Sequence, residues 1–100
     1  YTVADRSQIP EEAAKLIEEK KEKEFQMAYQ KGEDLYLIKG YGRQMSGGYS
    51  IQVTDLSASV NAVFFETKLI GPTEEVQGGE PSYPYIVVKT EYRDVPVQFR

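Results

Sequence analysis

Apolar and polar positions follow two rhythms along this chain. In "SQIPEEAAKLIEEKKEKE", Ile9, Ala13, Leu16 and Ile17 recur at helical spacing among charged residues. That spacing predicts one helix with a narrow apolar stripe. Pro10 suits the first helical position, where a missing N–H costs nothing. Glu11 and Glu12 then face the positive end of the helix. The stripe fades after Lys20, and the mixed-charge tail reads as a solvated face. Ahead of the helix, "YTVAD" has the β-branched and aromatic character of a short strand.

From Phe25 the apolar residues fall on every second position. Phe25, Met27 and Tyr29 alternate with Gln26, Ala28 and Gln30. "KGED" is a turn, and "LYLIKGYG" is the strand that returns, so the pair predicts a hairpin. "YSIQVTDL" puts Tyr49, Ile51 and Val53 on one face, with the polar "SASVN" as the break after it. "AVFFETKLI" alternates Val63 and Phe65 against Phe64 and Glu66. "GPTEEVQGGEPS" reads as a loop within the domain, "YPYIVVKTEY" as a strand, and "RDVPVQFR" as a last strand that Pro96 confines to an edge or a bulge. The proline between two aromatics in "SYPYIVV" raises the cis share of the Tyr83–Pro84 bond and predicts a tight turn there. The expected fold is mainly β (α+β): an antiparallel β-sandwich or open barrel of about six strands with one N-terminal helix, as a single domain over residues 1–100.

Composition narrows the chemistry. The 100 residues carry a net charge of −4, with bases interleaved among acids, which argues against nucleic acid as a partner. The chain has no cysteine and no histidine. Thiolate chemistry, disulfides, histidine-based triads and most zinc sites are therefore excluded. No apolar run approaches the ~20 residues of a membrane-spanning helix. Tyr1 in place of methionine suggests a processed or trimmed chain.

The densest segment is "GYGRQMSGGYSIQV", residues 40–53, with four glycines, two tyrosines and an arginine. It is not a P-loop, because no lysine follows the glycines and a strand follows instead of a helix. Ser46 has no S-x-x-K partner, since the third residue on is Tyr49, so it reads as a turn residue. The carboxylates at Glu33/Asp34, Glu66, Glu74/Glu75 and Glu91/Asp94 show no spacing that demands a catalytic pair. These features point away from an enzyme and from any cofactor or metal. Tyrosine, glycine, serine and arginine together are the chemistry of a protein-binding loop. The expected contact residues are Arg43, Ser46, Gly47, Gly48 and Tyr49 from this loop, and Tyr83, Pro84 and Tyr85 from the second. The plainer alternative is that the rings only cap the sheet ends.

Three segments together, "DLYLIKGYGRQMSGGYSIQVTDL", "NAVFFETKLIGP" and "SYPYIVVKTEYRDVPVQF", resemble the PrcB C-terminal domain family. The matching pattern is the apolar strand Leu35 to Ile38, Gly42 with Ser46-Gly47-Gly48-Tyr49, then Gly71-Pro72, then Ser82 to Lys89, over about residues 25–100. The family loop often reads Lys-Pro-Thr-Gly-Gly-Tyr, whereas this chain has Gln44-Met45-Ser46 before Gly-Gly-Tyr, without the stiffening proline. The resemblance implies a non-catalytic, exported domain of the cell envelope or the extracellular space, often in lipoproteins, that assists assembly or stability of a protease. Its partner would be a protein, with a protease as the first candidate. The Ser-Gly-Gly-Tyr loop also resembles, by analogy only, a loop of chagasin-type protease inhibitors, with Gly78-Gly79 as a second loop and Tyr83-Pro84-Tyr85 nearest to a third. A carbohydrate-binding module, using Tyr49 and Tyr83 as a stacking pair, is the third reading.

Overall fold

The computed structural model describes residues 1–72 and 79–100. The chain runs through strand β1 (Thr2–Val3), a short 3-10 turn (Arg6–Gln8), helix α1 (Glu11–Lys20), β2 (Glu24–Lys31), β3 (Asp34–Tyr41), β4 (Ser50–Ala58), β5 (Val63–Ile70), β6 (Tyr85–Glu91) and β7 (Val97–Phe99). Two sheets form, one of four strands in the order β1-β6-β3-β2 and one of three in the order β4-β5-β7. The result is a mainly β sandwich with one N-terminal helix and no closed barrel, as the alternation predicts.

Three layers stack, and their packing follows from which face each side chain takes. Ala13 and Ile17 of α1 bury against Tyr36, Ile38 and Val87, with Phe25, Met27 and Tyr29 of β2 closing the side. On the other face, Leu35, Leu37, Ile86 and Val88 meet Val63 and Phe65 of the second sheet. The central strands β3 and β6 are thus covered on both faces, which explains the unbroken apolar run at residues 35–38. Phe65 is 1% exposed and meets the Phe99 ring edge-on at 5.9 Å. Tyr29 ties helix to sheet by donating its hydroxyl to Glu12 at 2.9 Å.

The turn between β2 and β3 holds Gly32 at φ +61°, the conformation the "KGED" reading requires. Four expectations need correction. Pro10 caps the helix from outside, with ψ 142°, and Glu11 is the first helical residue. The strand after the loop runs on to Ala58, so the break falls later than "SASVN" suggests, and a bulge lies between Val53 and Asp55. Pairing is antiparallel except that β7 runs parallel to β5, a consequence of the chain crossing from one sheet to the other after Tyr92. The Tyr83–Pro84 bond is trans. No tight turn is needed there, because the chain enters β6 already extended and paired: Tyr41 N–H donates to Pro84 C=O at 3.0 Å. Pro96 does stand beside an edge strand, just before β7.

Candidate functional site

The two loops singled out in the sequence lie at the same end of the molecule and are bonded to each other. Just past the end of β3 the backbone kinks at Gly42, whose φ is +73°, and then runs on in the same direction, its antiparallel pairing slipped by one residue. A side chain here would strike the main chain of Glu24, 2.9 Å from its nitrogen, so glycine is required by close approach as well as by φ. Two residues later the chain resumes β pairing. Gln44 N–H donates to Ser82 C=O at 2.8 Å, and Ser82 N–H donates to Gln44 C=O at 3.0 Å. The Ser82 hydroxyl then donates to Ser46 C=O at 2.6 Å. The Gln44 side chain adds a bond from Nε2 to Tyr41 C=O at 3.0 Å. Gln44, one of the residues that departs from the family loop, is therefore a structural anchor. The main-chain bonds across to Ser82 tie this stretch of the first loop to the second.

Around this joint the side chains divide into exposed and supporting sets. Arg43 and Met45 are exposed, and Met45, at 79%, stands out as an apolar side chain held in solvent. Gly47 has nothing within 4 Å of where a Cβ would stand, so this stretch of backbone is open to an approaching molecule. Gly48, at φ +85°, instead lies against Pro72. Tyr49 is half-buried and its ring edge lies 3.8 Å from the Cβ position of Gly71. Tyr83 is half-buried, with the Lys21 ammonium 5.0 Å from its ring centre. Glu18 holds Lys21 there at 2.9 Å, and hydrogen bonding to Glu18 first of all raises the ammonium pKa above its ordinary value.

Of the eight expected contact residues, the structure brings Arg43, Ser46, Gly47, Gly48, Tyr49 and Tyr83 around one joint. Pro84 is half-buried and serves as a main-chain acceptor for Tyr41. Tyr85 turns away and packs in the helix-side cluster. Tyr41 also turns inward, its hydroxyl meeting Thr67 Oγ1 at 2.5 Å and so linking the two sheets below the loop. Sequence reasoning passed over Met45 as a contact and passed over the helix end. Arg43 N–H donates to Glu22 C=O at 3.2 Å, which brings Lys21 to Lys23 to the rim of the surface. Tyr49 and Tyr83, the pair a sugar site would use, are both half-buried and make no close ring–ring contact among the described residues. Gly78 of the second inhibitor-like loop lies outside the described residues, as do Glu74 and Glu75.

Among the described residues, no group of three or more carboxylates is placed to hold a metal ion. None of their helices is long and apolar enough to cross a membrane. A surface depression of about 640 Å³ lies at the opposite end and is lined by Glu33, Asp34, Lys89, Glu91 and Tyr92 among others. It does not touch the joined loops.

A family model described as PrcB C-terminal matches residues 35–91. The match spans β3 to β6 and so contains both loops and the bonds between them. Comparisons with curated proteins and with solved structures each returned no match.

Proposed function

Because the chain belongs to the PrcB C-terminal family, we propose that it is a non-catalytic protein-binding domain, exported to the cell envelope or beyond, that assists assembly or stability of a protease complex. The observation that carries this reading is the Gln44–Ser82 joint, which makes one preset surface out of two loops. A surface fixed in advance loses less conformational entropy on binding than two free loops would. Arg43 offers directional hydrogen bonds and Met45 an adaptable apolar contact, while the open backbone at Gly47 admits close approach.

The test is site-specific photo-crosslinking of the full-length protein in its native envelope. A photoreactive residue at position 43 or 47 is expected to capture one protein, identified by mass spectrometry. The same residue at position 61, in the β4–β5 turn at the far end, is expected to capture none of it. Equal capture at both ends would remove the loop surface as the binding site. Mixing the domain with papain separates the inhibitor reading: micromolar inhibition would convert the assembly role into a wedge that blocks a protease cleft.

A further inference from the structure

The edge of the four-stranded sheet at β2 differs from every other sheet edge among the described residues. β1 is two residues long, β7 is three and follows Pro96, and β4 carries a bulge between Val53 and Asp55. Short length, proline and bulges are the usual protections of an edge. β2 has eight residues, an unbroken register from Glu24 to Lys31, no proline and no bulge. Among the described residues nothing pairs with its outer side. Because a two-residue turn closes on Lys31 and Asp34, the main-chain groups of Gln26, Ala28 and Gln30 point outward from the sheet. Their side chains are exposed as well.

We infer that β2 is a docking edge for a second copy of this chain, paired antiparallel with its own β2 about a twofold axis at Ala28. Only even register sums keep the helix side of both copies on one face; axes at Met27 and Ala28 leave the longest stretch of β2 paired, and charge chooses between those two. With Met27 on the axis, Lys31 would stand opposite Lys23, a like-charge pair. With Ala28 on the axis, Lys31 stands opposite Phe25, Met27 opposite Tyr29 and Gln26 opposite Gln30, with no like-charge pair, and Lys23 lies toward the partner's turn that carries Glu33. Like charges directly opposite oppose pairing, and unlike charges favour it. The helix supports the same seam. Glu12 receives the Tyr29 hydroxyl, so Leu16, one turn on, lies along the same side of α1, half-buried. The dimer would cover Leu16 together with the half-buried Phe25, Met27 and Tyr29. This surface adjoins the joined loops at Lys23 and Glu24 and runs away from them along β2.

The chain has no cysteine, so an introduced thiol reports on one position alone. Ala28→Cys places two thiols across the proposed axis, and mild oxidation of dilute protein is expected to yield mainly disulfide dimer. Ala58→Cys, at the exposed end of β4, serves as the collision control and is expected to yield at least tenfold less. In sedimentation equilibrium the unmodified chain is expected to approach twice 11.4 kDa as concentration rises. Ala28→Lys, which sets two ammonium groups at the axis, is expected to remain a monomer with an unchanged circular dichroism spectrum. A wild-type chain that stays monomeric to millimolar concentration would overturn the inference, as would an Ala28→Cys yield equal to the control or an Ala28→Lys chain that still dimerises.

Discussion

Gln44 and Ser82 exchange both of their main-chain hydrogen bonds, at 2.8 and 3.0 Å, and the Ser82 hydroxyl reaches on to Ser46. The two stretches flanking a loop thereby become one short antiparallel rung beyond the end of the sheet. Ser82→Ala keeps the rung and removes only the hydroxyl bond, which is part-buried. A net loss of about 1 kcal/mol is expected. A urea titration checks it, with a lower midpoint at an unchanged slope.

Glycines in the loop differ in what they do, and alanine substitution should separate them. Gly48 has φ +85° and a Cβ there would meet Pro72 Cβ at 3.0 Å. Gly48→Ala is expected to cost at least ~1 kcal/mol, from the left-handed backbone and the contact together. Gly47 has neither constraint, and Gly47→Ala is expected to be neutral or slightly stabilising. Thermal unfolding of the two variants side by side is the measurement.

The cross-sheet bond between Tyr41 and Thr67 makes a prediction about pairs. Each hydroxyl is part-buried, and removing one leaves the other without its partner. Tyr41→Phe and Thr67→Val are each expected to cost about 1–2 kcal/mol, and the double variant about as much as either alone. Full additivity in a double-mutant cycle would show that the two hydroxyls do not depend on each other.

Much of this architecture is legible locally, and the joint is not. Alternation at Phe25, Met27 and Tyr29 marks β2 because one face of that strand is covered and the other is exposed. Gly32 marks its turn because only a residue free to take positive φ closes it so tightly. The run at residues 35–38 signals burial on both faces without saying what covers each. Which strands pair, and that β7 lies parallel to β5, depends on contacts far apart in the chain. Ser82 and Ser46 are 36 residues apart and meet only once β3 and β6 have paired. Composition marks both loops as candidates for contact but could not separate Tyr85, which packs under the helix, from Tyr83, which stays with the loops.

Acid should weaken the N-terminal turn through Asp5. The Ser7 hydroxyl, ahead of the Ser7 and Gln8 amides, holds the Asp5 carboxyl below its ordinary value of 3.8. A carboxyl depressed in the folded state contributes stability that is present above its unfolded pKa and is lost as pH falls through the folded one. Wild type is therefore expected to lose more stability than Asp5→Asn between about pH 5 and pH 3, the remaining acid sensitivity being common to both. Parallel slopes of unfolding midpoint against pH would remove Asp5 as a contributor.

Arg43 and Met45 should matter for binding and not for folding. Neither side chain has a hydrogen-bond or ion-pair partner among the described residues, and both are exposed. Arg43→Ala and Met45→Ser are each expected to shift unfolding free energy by less than ~0.5 kcal/mol. If the joined loops form the contact, truncating an anchor there should weaken partner binding by at least about 30-fold, roughly 2 kcal/mol. Val60, in the β4–β5 turn at the far end, is the matched control, since at 90% exposed it is an apolar side chain in solvent too. Val60→Ser is expected to leave both stability and binding unchanged. The readout is binding of each purified variant to the protein captured by photo-crosslinking, by calorimetry. An effect of Val60→Ser as large as that of Met45→Ser would mean that exposed apolar area in general, and not this loop, carries the affinity.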